Sequence, residues 1–160
     1  HKPEFLGTVL DLRKAFPEAG LYCTAYELEE LSGKIRIPRF KGIPPAPWEG
    51  ILPDYIYSAL GEPPVWTSVA AIPKKIFSEV GYFAAGEKLG EDLDLWLRVA
   101  MKYPVAFSRK IGGTYCRGAT NRVSSFDSGI VWADRALKKT ALNALRDEIV
   151  AGKTADHLRE

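Results

Sequence analysis

The sequence predicts an α/β fold. Three observations predict it. Helix-periodic and strand-like segments alternate along the chain, as a sheet covered by helices requires. The strand-like runs are bounded by proline and glycine. A charged helix mouth, Gly90-Glu91-Asp92-Leu93-Asp94-Leu95-Trp96-Leu97-Arg98, follows a glycine-containing loop.

Phe5 to Phe16 carries apolar residues at helical spacing, and Pro17 stops it. Gly20 to Leu28, rich in aromatic and small residues, reads as a strand. Ser32-Gly33-Lys34 is a turn, and Ile35 to Phe40 a short strand completing a hairpin. Lys41 to Gly50 holds Pro44, Pro45 and Pro47 and is read as loop, with Leu52 to Leu60 a short helix that Gly61 to Pro64 ends. Val65 to Ile72 reads as a buried strand between prolines. Pro73 at the first helical position then opens a helix over Lys74 to Val80 that Gly81 closes. The helix from Asp92 to Lys102 is expected to bury Leu93, Trp96, Leu97 and Ala100 or Met101, with Asp94 and Arg98 paired one turn apart. Val105 to Arg109 and Gly113 to Arg117 are candidate strands. Ser128 to Ala151 is a long helix with Val131, Leu137, Ala141, Leu145 and Ile149 inward. No repeat or domain boundary shows, so residues 1–160 are read as one domain.

Composition narrows the chemistry. A net charge of +2 with scattered basic residues does not argue for nucleic acid, and no apolar run is long enough for a membrane span. The two histidines, His1 and His157, lie near the termini, which disfavours a histidine triad or a histidine-rich zinc site. Cys23 and Cys116 form no CxxC pair and are expected to be buried thiols, with a disulfide left open. Chemistry is thereby directed to carboxylates, hydroxyls or a metal held by oxygen.

The run at 90–98 has two readings. Glu91, Asp92 and Asp94 suit the positive end of a helix dipole as a charged cap. Alternatively one carboxylate is aimed into a cleft as a general base.

Trp66-Thr67-Ser68-Val69-Ala70-Ala71-Ile72-Pro73-Lys74-Lys75-Ile76-Phe77, Val80-Gly81-Tyr82-Phe83, the run 90–98 and Tyr103-Pro104-Val105-Ala106 together resemble family 2 glycosyltransferases of the GT-A fold, in their C-terminal, acceptor-side portion. The specific part is a Glu-Asp pair opening a helix, with Gly-x-Phe upstream and Arg98 downstream. Lys2-Pro3-Glu4-Phe5-Leu6 and Phe16-Pro17-Glu18-Ala19-Gly20 look like the segment after that family's metal-binding Asp-x-Asp. With Met101 the only methionine, the expectation is a piece of a longer protein, and the resemblance implies a partial GT-A (nucleotide-diphospho-sugar transferase) fold, a mixed sheet flanked by helices, whose N-terminal nucleotide-binding half is absent.

The resemblance implies an inverting enzyme of polysaccharide biosynthesis. It would move a sugar from a nucleotide-sugar donor to a hydroxyl of a glycan or lipid-linked acceptor, with Asp92 as base and Glu91 holding the loop or touching the acceptor. Trp66, Tyr82, Phe83 and Trp48 are the candidate acceptor-binding aromatics, and core packing is the competing role for Trp66. Arg117 and Asn121 are candidates to reach the diphosphate, and Arg98 an internal ion-pair partner. A divalent metal, Mg²⁺ or Mn²⁺, is implied in the whole enzyme with its ligands mostly outside this chain. None is expected tightly bound here, since Gly118 and Ala119 stand where many members carry a histidine ligand. The isolated chain is expected to be inactive, cytoplasmic (including the cytoplasmic membrane surface) and able to dimerise through an exposed sheet edge. The competing readings are a non-catalytic carbohydrate-binding or protein-interaction module and, less favoured, a carboxylate hydrolase. Neighbouring carboxylates on one helical turn fit the facing pair of a hydrolase poorly.

Overall fold

The computed structural model describes residues 1–86 and 90–118. The expected helix over 128–151 and Asn121 lie outside them. In chain order the elements are helix α1 (Phe5–Ala15), strands β1 (Leu21–Glu29), β2 (Ile35–Arg36) and β3 (Glu49–Ile51), helix α2 (Tyr55–Ala59), a 3₁₀ turn (Thr67–Val69), strand β4 (Ala70–Ala71), helices α3 (Lys74–Val80) and α4 (Glu91–Ala100), and strand β5 (Val105–Cys116). The fold is α/β. Its sheet is mixed and runs β2–β1–β5–β3, with β4 also on β1. β1 and β5 are parallel from Leu21↔Val105 to Glu29↔Cys116, whereas β2, β3 and β4 join antiparallel.

The centre of the molecule is β1. Every residue from Leu21 to Tyr26 is buried, the pattern of a strand covered on both faces. Phe5, Val9 and Leu12 of α1 pack into this core, and Val99 and Trp96 of α4 join it. Burying a leucine such as Leu12 contributes about 2 kcal/mol. Pro17 ends α1 as expected, and the Tyr22 hydroxyl donates to the Phe16 carbonyl at 2.9 Å, tying the helix end to β1.

Several expected boundaries move. The two strands expected at 105–109 and 113–117 are one, because the chain bulges between them instead of turning. The β1 register jumps from Ser108 to Ile111 and then to Gly113. A Cβ on Gly112 would lie 2.0 Å from Thr24 Oγ1 and 2.8 Å from Phe5, so the bulge closes only with glycine there. The strand expected over 65–72 shrinks to β4, because the Val69 N–H donates to the Trp66 carbonyl at 2.9 Å and coils the residues before it. β2 stops before Pro38, which can donate no ladder bond. β3 forms from residues read as loop, pairing Glu49–Ile51 with Ser108–Ala106. α2 begins at Tyr55, where Asp54 Oδ1 accepts the Tyr57 N–H at 2.8 Å. Pro73 is the residue before α3, not its first helical position.

α4 packs against α2, α3 and β1, so it buries more than one stripe. Leu95, Trp96, Leu97 and Val99 are buried. The expected Leu93 and Ala100 are only half-buried, and Met101 is 47% exposed. Both thiols are free. Cys23 is buried, but Cys116 is exposed at the end of β5, contrary to the expectation of two buried cysteines. Among the described residues no helix is long and apolar enough to cross a membrane.

Candidate active site at the mouth of α4

Gly90 precedes α4 with φ 82° and ψ 5°, a left-handed conformation that glycine adopts without steric cost. The chain therefore enters the helix sharply, placing Glu91, Asp92 and Asp94 in the first turn. Asp92 is half-buried and held at both oxygens. Its Oδ1 accepts the Leu93 N–H at 2.8 Å, and its Oδ2 accepts the Thr67 hydroxyl at 2.7 Å. One bond is of the capping type, satisfying an N–H of the first turn. The other ties the carboxylate to the 3₁₀ turn. An ionised carboxylate offers about four acceptor positions, so these bonds leave room for a further hydroxyl.

Asp94 and Arg98 pair as expected. The guanidinium gives Nη2–Oδ2 at 2.8 Å and Nε–Oδ2 at 3.0 Å. Arg98 also donates to the carbonyls of Val80 and, at 2.9 Å, Tyr82. It thereby fastens the end of α3 and the start of the loop to the helix mouth. Gly81 turns the chain between these carbonyls at φ 82°. Glu91 is half-buried in the same turn.

Trp66 adjoins Thr67. It is half-buried, edge-to-face on Tyr115 at 5.1 Å and 5.6 Å from Tyr26, against the bare backbone of Gly113. Gly113 pairs with Tyr26, so Trp66 lies over the carboxyl-terminal half of the parallel β1–β5 pair. In open α/β sheets, ligands bind beyond that end of the strands. His1 reaches the same place: its Cα lies 4.0 Å from a Cβ built on Gly113, and its ring stacks on Phe5. Tyr82 is 70% exposed and stacks on Phe77 at 5.4 Å, while Phe83 is 44% exposed and meets the buried Trp96 edge-on at 6.2 Å.

Two other expected site residues, Trp48 and Arg117, have partners of their own. Trp48 covers Gly50 and leans on Phe107 at the β3 edge, and none of its ring contacts involves the α4 mouth. The Arg117 guanidinium grips Glu30 at 2.8 and 3.1 Å. Arg36 joins this network, bonding Glu30 at 3.0 Å and Glu62 at 2.6 Å. Arg117, then Arg36, holds the Glu30 carboxyl below its ordinary range by hydrogen bonding.

Sequence reasoning missed Thr67 as the partner of Asp92. It also missed Tyr55, whose hydroxyl is pushed up chiefly by burial. A hydroxyl pair, Thr67-Ser68, directly after a tryptophan was the available signal for the former. Among the described residues no group of three or more His, Cys, Asp or Glu side chains could hold a metal ion. Comparison with protein-family models, with curated proteins and with solved structures finds no match for the chain.

Proposed function

We propose that this chain is the acceptor-side portion of an inverting GT-A glycosyltransferase of family 2, with Asp92 as the base. The observation that carries this reading is the double anchoring of a half-buried Asp92 at the mouth of α4. Its hydroxyl partner Thr67 directly follows Trp66, which lies over the carboxyl-terminal half of the parallel strand pair. In the reaction, an acceptor hydroxyl loses its proton to the Asp92 carboxylate as its oxygen attacks the anomeric carbon, and the nucleoside diphosphate departs from the opposite face. A positioned base contributes on the order of 10²–10⁴-fold. Thr67 fixes the carboxylate, and the Arg98 staple sets the loop that carries Tyr82 and Phe83. The aromatic faces of these residues and of Trp66 supply the wall for the acceptor sugar.

The donor and its divalent metal belong, in this reading, mainly to a nucleotide-binding half outside residues 1–160. The chain alone should then transfer no sugar. Joined to that half, Asp92→Asn should lower kcat at least about a hundredfold with donor affinity nearly unchanged, read by nucleoside diphosphate release. Near wild-type turnover would remove Asp92 from the role.

The exposure of Tyr82 favours one second reading, a non-catalytic carbohydrate-binding module. In that case saccharide binding would survive Asp92→Asn and fail in Tyr82→Ala, with no turnover in any form of the protein.

A further inference from the structure

The hairpin joining β1 to β2 and the residues after it carry exposed aliphatic side chains and are also basic. Leu31 is 84% exposed, Ile35 55% and Ile37 53%. Ile35 and Ile37 are two apart in extended chain and share one side, while Arg36 turns to the other and is consumed by Glu30 and Glu62. Residues 31–41 contain Lys34, Arg36, Arg39 and Lys41 and no carboxylate. Of these cations, Lys34, Arg39 and Lys41 make no ion pair among the described residues.

The patch continues onto α2. The Arg39 N–H donates to Glu62 at 2.6 Å, drawing residues 60–62 beside the hairpin, and Lys41 Nζ lies 4.4 Å from the centre of the Tyr57 ring. Tyr57 and the following Leu60 are 45% and 62% exposed. Two of the carboxylates near this surface are paired with arginines, and a third meets only a thiol. Glu30 and Glu62 are held by arginines, and Glu29, opposite Ile35, accepts the Cys116 thiol at 3.2 Å.

We propose that this surface docks the protein onto an anionic lipid bilayer. Aliphatic side chains at a hairpin tip, interleaved with unpaired long cations and flanked by a tyrosine, match the interfacial layer of such a membrane. The aliphatics enter the acyl boundary, and the cations remain among anionic headgroups. Protein interfaces are instead depleted of lysine. The inference rests on this surface alone and is independent of the role of Asp92.

The full chain, mixed with phosphatidylcholine vesicles containing roughly one-third phosphatidylglycerol, should co-sediment with them but not with pure phosphatidylcholine, and should be released by raising salt to about 0.5 M. The double variants Leu31→Asp/Ile35→Asp and Lys34→Glu/Arg39→Glu should each lower the partition coefficient at least about tenfold with an unchanged circular dichroism spectrum. Leu6→Asp, exposed on α1 outside the patch, should not. Failure to bind anionic vesicles, equal binding to neutral ones, or indifference to both double variants overturns the proposal. So does a solution dimer that Leu31→Asp/Ile35→Asp dissolves without any vesicle binding, which would make the patch a self-interface.

Discussion

Two hydrogen bonds decide how Asp92 behaves. Its own helix supplies one, and Thr67, 25 positions earlier, supplies the other. Replacing Thr67 by valine keeps the shape and deletes the donor, so kcat should fall about tenfold. Thr67→Ser should restore it. Because Thr67 is exposed, the urea midpoint should scarcely move in either variant. A turnover unaffected by Thr67→Val would leave Asp92 oriented by its helix alone. Gly112 is the contrasting residue, with no chemistry and no tolerance. A methyl group there meets Thr24 Oγ1 at 2.0 Å between the two longest strands. Gly112→Ala should destabilise the fold by about 2 kcal/mol or more in urea titration.

At the scale of elements, α3, the following loop and α4 act as a unit because Arg98 bonds carbonyls on both sides of Gly81. Gly81→Ala forces a side chain into a left-handed backbone and should cost about 1 kcal/mol. The start of the chain is held differently. Lys2 pairs with Glu27 of β1 at 2.7 Å, and Thr114 of β5 donates to the same carboxylate. Those two hydrogen bonds, Lys2 first, lower the Glu27 carboxyl below its ordinary 4.5. The folded state therefore gains from this group above that value, and the gain is lost as pH falls through the lowered folded value. Lys2→Met should flatten the decline of the urea midpoint below about pH 4.5; an identical acid profile would show the pair contributes nothing.

Over the whole molecule, three buried acidic groups make the core sensitive to alkali. Burial pushes Cys23 up from its ordinary 9.0, and Tyr26 and Tyr55 up from 10.0, so all three stay neutral in the folded chain. Their stabilisation is present below those ordinary values and declines as pH rises above them, since the unfolded chain ionises first. Thermal unfolding should drop steeply above about pH 10, and Cys23→Ala should delay the onset.

What was legible in the residues was local. Pro17 and Gly81 mark where α1 and α3 end, and the Asp94–Arg98 pair follows from one helical turn. What was not legible depended on distant partners. β3 exists because β5 offers it a ladder, the bulge at Gly112 joins two expected strands into one, and Thr67 meets Asp92 only once β4 is laid against β1. The buried face of α4 was only half read, Trp96 and Leu97 correctly but Leu95 and Val99 not, since three neighbours cover the helix and periodicity allows for one.

The central claim is that one carboxylate of the three at the α4 mouth removes the acceptor proton. The most direct measurement compares kcat for Glu91→Gln, Asp92→Asn and Asp94→Asn in the protein carrying its donor-binding half. Asp92→Asn alone should lose about a hundredfold or more, with the other two within about tenfold of the parent. Equal losses at all three positions, or the largest loss at Asp94, would contradict the account.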